Sequence, residues 1–227
     1  MNVISVRDLH FAYADGTKAL RGVNFEAAEG ETIALLGANG SGKTTFLLHL
    51  NGLLRGQGQI DIDGMPITPG NLRVIRSKVG MVFQDSDNQL FSSSVSEDVS
   101  FGPAVLGLES AEVERRVESA MQATAITDLA SRSPYHLSAG QKKRAAIAGI
   151  LAMEPRIMIL DEPTTFLDPP SRKSLIKLLR DLPQTKLLAT HDLPLAAELA
   201  TKAVFFEHGR IVAEGGVYEI ASRFDWA

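Results

Sequence analysis

Eight consecutive residues, Gly37-Ala38-Asn39-Gly40-Ser41-Gly42-Lys43-Thr44, carry the densest chemistry in this 227-residue chain. They fit the pattern G-x-x-x-x-G-K-[ST]. Its glycines let successive backbone N–H groups turn inward and form a nest for phosphate oxygens at the positive end of the helix that follows. Lys43 is a point charge for the outer phosphates, and the Thr44 hydroxyl is placed to ligate Mg2+. A second concentration is Ile157-Met158-Ile159-Leu160-Asp161-Glu162-Pro163, an apolar strand that delivers two carboxylates at its C-terminal end, the edge where parallel sheets hold ligands. One carboxylate can serve a metal ion while its neighbour orients or deprotonates a water; taken alone, the pair also reads as a cap for the next segment. A third is Leu137-Ser138-Ala139-Gly140-Gln141, which opens a helix with Ser138 as its N-cap. Lys142-Lys143-Arg144 then sets three cations in the first turn, where the helix dipole disfavours them; the conflict points to an anion arriving from outside, although taken alone a capped helix with a solvated basic turn is the better reading.

The elements that must position these groups follow from periodicity. Residues 3–13 and 19–27 alternate as strands around a turn at Asp15-Gly16, and residues 32–36 form a buried strand leading into the glycine-rich loop. Helical spacing covers residues 44–54, then short strands are expected at 58–63 and 79–83. An amphipathic helix at 112–124, bounded by Gly102, Pro103 and Gly107 before it and Ser133-Pro134 after it, reads as a helical insertion with its own boundaries. From there helices at 140–153, 171–182 and 193–201 alternate with strands at 156–161, 186–190 and 203–207. That rhythm implies a mostly parallel sheet covered on both faces.

Composition excludes other classes. With 23 Lys and Arg against 27 Asp and Glu, the net charge of −4 gives no general hold on nucleic acid. The absence of cysteine removes disulfides, thiolate catalysis and Cys-based zinc sites. No apolar run approaches the roughly 20 residues that span a bilayer, and no leader-like segment precedes Asp8, so a cytosolic chain is expected.

The phosphate loop, residues 137–141 and Leu160-Asp161-Glu162-Pro163 occur in that order, with Gln84 between the first two and His191 closing the set. The combination resembles the nucleotide-binding subunit of an ATP-binding cassette (ABC) transporter, over residues 3–217. Phe83-Gln84-Asp85, Asn88-Gln89-Leu90-Phe91, Glu97-Asp98-Val99 and Phe101-Gly102-Pro103 are similar to the ATPases of energy-coupling factor (ECF) transporters, which import vitamins and transition-metal ions in prokaryotes. The resemblance implies an α/β P-loop NTPase with a mostly parallel core sheet, an N-terminal antiparallel β subdomain and a helical insertion subdomain. Residues about 1–83 and 155–227 would form the RecA-like core with the β subdomain, and about 84–154 the glutamine loop and helical subdomain.

The same resemblance implies ATP as ligand with Mg2+ and assigns roles position by position. Tyr13 stacks on adenine; Gly37, Asn39, Gly40, Ser41, Gly42, Lys43, Thr44 and Thr45 hold the phosphates. Gln84 links Mg2+ and water to the transmembrane partner, Asp161 supports the metal, Glu162 is the catalytic base and His191 contacts the γ-phosphate. Without the resemblance, Tyr13 would read as a core aromatic, Gln84 as a solvated side chain and His191 as a capping residue. Ser138, Ala139, Gly140 and Gln141 close on ATP held by the opposite subunit, and Leu167-Asp168 crosses the dimer interface.

The implied assembly is a head-to-tail pair, a homodimer or two homologous ATPases, with each ATP between one chain's residues 37–45 and the other's residues 138–141. A transmembrane coupling protein and a substrate-binding membrane protein complete it, so the ATPase lies peripherally on the cytoplasmic face of the membrane. Biotin, then cobalt or nickel, are the cargoes the family analogy suggests. The alternative is a soluble ABC-type ATPase acting on DNA or ribosomes, or a nucleotide switch. Two positions depart from the family pattern. Ala139 replaces the usual glycine, which would be costly if that position needs positive φ. Thr165-Phe166 replaces smaller residues and is expected to reshape the dimer contact. The chain also ends near Trp226, short of the C-terminal extension many ECF ATPases use in dimer contacts, which implies a dimer held by ATP and the core alone.

Overall fold

The computed structural model describes residues 1–226. The N-terminal part runs β1 (Asn2–Ala12), β2 (Lys18–Ala28), β3 (Thr32–Leu36), α1 (Lys43–Leu50), β4 (Gln57–Ile62), β5 (Met65–Pro66), α2 (Leu72–Lys78) and β6 (Val79–Val82). Three helices follow: α3 (Val95–Val105), α4 (Ser110–Ala123) and α5 (Ala139–Leu151). The chain then alternates β7 (Ile157–Asp161), α6 (Pro169–Asp181), β8 (Thr185–Ala189), α7 (Leu193–Leu199) and β9 (Lys202–Glu207), and closes with β10 (Arg210–Gly215) and α8 (Val217–Arg223).

One sheet has the order β2-β1-β4-β5 and is antiparallel. The other has the order β10-β9-β3-β8-β7-β6, parallel from β9 to β6 with β10 antiparallel at its edge. Every residue of β3, β6, β7 and β8 is buried, as strands covered on both faces require; in β8 this includes Lys186, whose ammonium donates to the Leu182 and Gln184 carbonyls. Phe46 on α1 ties the two sheets together. Its ring centroid lies 5.3 Å from that of Phe25 on β2 and 5.4 Å from that of Phe206 on β9. Burying one such ring contributes about 2–3 kcal/mol, so α1 is fixed from both sides. The helices α3, α4 and α5 share their own apolar cluster, including Val95, Val99, Val117, Met121, Ala145 and Ala148.

Four local readings change. The helix expected over residues 44–54 stops at Leu50, because Asn51 turns its side-chain oxygen onto the Leu53 N–H (3.1 Å) and Gly52 takes φ 68°. Gly102 and Pro103 do not bound a helix but lie inside α3. A Cβ on Gly102 would stand 2.7 Å from the Met153 side chain, so this glycine serves close packing just past the end of α5. The helix α2 and the closing pair β10 and α8 were not expected. The half-exposed alternation of β10 was a readable signal that its charged residues masked. Finally, the three cations at the start of α5 need no incoming anion: Lys142 pairs with Asp87 at 2.5 Å, and Lys143 and Arg144 donate to the Gln84 and Thr124 carbonyls.

Candidate active site at the phosphate loop

The glycine-rich loop joins the C-terminal end of β3 to α1, in the middle of the parallel sheet, and β7 ends two strands away with its carboxylates. Two glycines make the loop possible. Gly37 has φ 135° and a Cβ there would stand 2.2 Å from the Phe206 carbonyl oxygen; Gly42 has φ 112° and its Cβ would stand 2.7 Å from the Ala19 carbonyl. No other residue fits either position.

Lys43 is buried, and its ammonium donates to the Gly37 carbonyl at 2.6 Å and to the Ala38 carbonyl at 3.1 Å. Burial lowers its pKa, while Glu162 and Asp161 pull in the opposite direction. Asp161 is buried too; burial raises its pKa against a hydrogen bond from Thr44. Glu162 takes φ 45°, a left-handed conformation that costs a non-glycine residue about 1–3 kcal/mol and persists only where its surroundings enforce it. Here they do. The Glu162 N–H donates to the Ala189 carbonyl at 2.8 Å. The carboxylate accepts from the His191 N–H at 3.0 Å and the Thr190 hydroxyl at 3.2 Å, and lies 2.9 Å from His191 Nδ1.

A cleft of about 350 Å3 is lined by Tyr13, Asn39, Gly40, Gly42, Lys43, Thr44, Thr45, Gln84, Asp161 and Glu162. The structure thus brings most of the expected residues to one place. Tyr13 is held at the cleft edge by its hydroxyl, 2.9 Å from Thr45 Oγ1. Gly37 lies behind the cleft as the acceptor for Lys43, Ser41 Oγ is buried without a partner, and His191 enters through Glu162. Residues 138–141 are absent from the lining. Ser138 caps α5 through Gln141 N–H (3.3 Å), Gln141 reciprocates to Ser138 N–H (2.9 Å), and Ala139 lines a separate cleft with Gln84, Lys142, Lys143 and Phe166. Ala139 has no positive φ, so its methyl group is unstrained. Phe166 does, at φ 68°, and is 78% exposed.

Sequence reasoning missed Thr190 and Lys18, and read Lys143 only as one of three first-turn cations. Thr190 supports Glu162 from the end of β8, and its place next to His191 was the available signal. Lys18 lines the cleft opposite Tyr13. Lys143, pushed down by burial to about 8, fastens α5 to the segment after β6 through the Phe83 and Gln84 carbonyls at 3.0 and 2.8 Å.

The donor set fits a nucleoside triphosphate with a hard divalent cation: a glycine-rich loop opening a helix, one buried ammonium, an exposed Thr44 hydroxyl and a single buried aspartate beside it. Among the described residues no three His, Cys, Asp or Glu converge, which suits an ion that takes one or two carboxylates and leaves its other positions to phosphate and water.

Comparison with known proteins agrees with this geometry. The family model described as ABC transporter matches residues 20–165. The chain belongs to this family. The ECF transporter ATP-binding protein EcfA of Carboxydothermus hydrogenoformans is 50% identical over 216 residues, 93% of this chain and 80% of that protein. A putative ABC transporter ATP-binding protein of Streptomyces avermitilis is 49% identical, over 96% of this chain and 83% of that protein. In structure the chain is similar to cbiO1 from Clostridium perfringens, part of the ABC transporter complex cbiONQ, with TM-score 0.88, 40% identity and coverage of 99% of this chain and 92% of the other. It is also similar to the dimeric ATP-binding cassette MJ0796 in a post-hydrolysis state with ADP and Pi, at TM-score 0.85 and 27% identity, covering 94% of this chain and 98% of that one. The ABC ATPase is therefore a P-loop α/β enzyme whose reaction is ATP hydrolysis coupled to transport, and its likeness to ECF-type ATPases is borne out.

Proposed function

We propose that the ATPase works as a head-to-tail dimer that drives an ECF-type importer from the cytoplasmic face of the membrane. The observation that carries this reading is the division of the site. The cleft of one chain supplies Lys43, Thr44, Gln84, Asp161 and Glu162, whereas residues 138–141 of the same chain lie outside it. A second copy offering its capped start of α5 completes the enclosure.

Within that enclosure the loop N–H groups and Lys43 hold the phosphates, Tyr13 takes the adenine face, and Thr44, Asp161 and Gln84 are the groups that would hold Mg2+. Bound Mg2+ supplies charge to the phosphate oxygens. In-line transfer asks for positioning and charge more than covalent help. Glu162 accepts the proton of the attacking water as the γ-phosphorus bond to ADP breaks; His191 and Thr190 fix its carboxylate, and the His191 side chain, 66% exposed, is free to meet the γ-phosphate. Once phosphate leaves, the charge that joined the two surfaces is gone and the pair separates.

The attachment to membrane proteins is supported by the segment after Gln84. Phe91 and Phe101 are 61% and 51% exposed and stand edge to face at 5.0 Å, and Val105, one turn after Phe101 on α3, is 58% exposed. An exposed apolar cluster of this kind marks a protein contact, and it lies on the α3 side of the same segment that brings Gln84 to the cleft. Among the described residues no helix is long and apolar enough to cross a membrane, so the attachment is peripheral. The cargo is a vitamin, biotin before others, or cobalt or nickel. Purification of the tagged ATPase from detergent-solubilised membranes, with mass spectrometry of the copurified proteins and bound small molecule, tests this. A membrane complex carrying one such cargo supports it; recovery of the ATPase alone, or with ribosomes or DNA, overturns it.

A further inference from the structure

The nucleotide cleft, about 350 Å3, has a larger neighbour. The neighbour measures about 750 Å3 and lies beside it, over one end of the antiparallel sheet, lined by His10, Phe11, Ala12, Lys18, Leu20, Arg21, Arg55, Gly56, Gln57 and Arg210. Its floor is set by strand register: His10 pairs with Arg21 on one side and Gln57 on the other, and Phe11 pairs with Leu20. Four cations converge on it from three separate segments. Lys18 and Arg21 come from β2, Arg55 from the connection between α1 and β4, and Arg210 from the start of β10.

These cations are unlike most others in the molecule. Arg156, Arg172, Arg180, Lys78 and Lys202 hold carboxylates, and Arg73, Arg76 and Lys186 hold backbone carbonyls. Among the described residues Lys18, Arg55 and Arg210 have neither, and Arg21 has only a 3.5 Å contact to the Lys18 carbonyl. The nearby acids do not neutralise them. Asp8 is taken by His10 Nε2 at 2.8 Å, and Glu207, the ladder partner of Arg210, forms no ion pair with it. In a chain of net charge −4, this leaves a concentrated positive field over a partly apolar floor. A concave site of several hundred Å3 with an apolar wall and a few convergent charges is the form that small-molecule sites take, and like-signed walls raise the local concentration of the opposite ion.

We propose that this cleft is a second anion site, for a soluble ligand that carries two or more phosphoryl groups on an apolar body, the chemistry of a nucleoside polyphosphate. Phe11 and Ala12 face the body, and Lys18, Arg21, Arg55 and Arg210 face the phosphoryl groups. Lys18 also lines the nucleotide cleft, so occupancy of one site bears on the other. The inference does not depend on the transport reading.

The test uses inorganic tripolyphosphate as the probe and Lys43→Ala protein, in which the phosphate loop has lost its ammonium. Calorimetry is expected to give one site per chain, weakened about tenfold or more when Arg55→Glu and Arg210→Glu are added and retained with Arg55→Lys and Arg210→Lys. Binding should also fall as salt is raised, since these charges face water. The Glu pair placed in the native chain is expected to keep its ATP affinity, which shows that the fold is intact. No tripolyphosphate binding, or equal binding by the Glu and Lys pairs, overturns the proposal. So does binding of phosphatidylglycerol vesicles, sensitive to the Glu pair, by protein that ignores tripolyphosphate.

Discussion

Around the phosphate loop the chain has no freedom left: Gly37 and Gly42 sit where a single methyl group would strike a carbonyl oxygen, Lys43 is buried, and Glu162 is held in a left-handed conformation by three hydrogen-bonded neighbours. Residues 138–141 are the opposite. Ser138 and Ala139 are exposed, the capping box is satisfied locally, and the cations that follow are consumed by Asp87 and by backbone carbonyls. One region is strained and gathers its chemical groups within a single chain; the other is relaxed, with its polar groups satisfied locally and its start exposed. The contrast teaches where assembly enters: the strained half stores the chemistry, and the relaxed half can be borrowed by a neighbour without refolding.

The largest expected effect breaks the strained half. Glu162→Gln keeps the shape and removes the base, so ATP hydrolysis is expected to fall about 10²–10⁴-fold with ATP affinity retained, as read by phosphate release against equilibrium binding. Loss of affinity in parallel with turnover would show that the carboxylate holds the cleft open rather than acting on water. Lys43→Ala removes a buried ammonium made for phosphate and is expected to weaken ATP about 100-fold or less, within the range of charged hydrogen bonds.

The relaxed half is sharpened by Ser138→Ala. Losing the cap costs about 1 kcal/mol of helix stability, and the dilute monomer should still bind ATP while turnover at high protein concentration falls. Equal turnover would remove residues 138–141 from the reaction. The smallest effect is a control outside both regions. His49 is buried, its Nδ1 is 2.7 Å from the Thr45 carbonyl, and burial lowers its pKa below that of a free imidazole. The unfolded chain therefore binds the proton more readily, so stability is full above about pH 6.5 and declines as pH falls through and below it. Thermal melts of His49→Asn should show a shallower decline over that interval.

Much of this was legible in the residues, for physical reasons that differ by element. The strands of the parallel sheet announced themselves as short, mostly apolar runs, and the phosphate loop as a spacing of glycines that few other structures need. The fate of Lys142, Lys143 and Arg144 was not legible, because the acceptors lie far off in sequence at Asp87, Phe83, Gln84 and Thr124. Helix α3 was hidden by Gly102 and Pro103, which usually punctuate; Gly102 is there for close packing, since a Cβ would stand 2.7 Å from the Met153 side chain. The register of β1 with β2 and β4, which gathers four cations over one sheet end, cannot be read from any local pattern.

The central claim, that triphosphate joins two complementary surfaces, is tested most directly by light scattering of the Glu162→Gln protein with ATP and Mg2+. The account predicts a particle of twice the chain's mass with ATP that reverts to the single chain with ADP. A single chain under both conditions, at protein concentrations where ATP is bound, would contradict it.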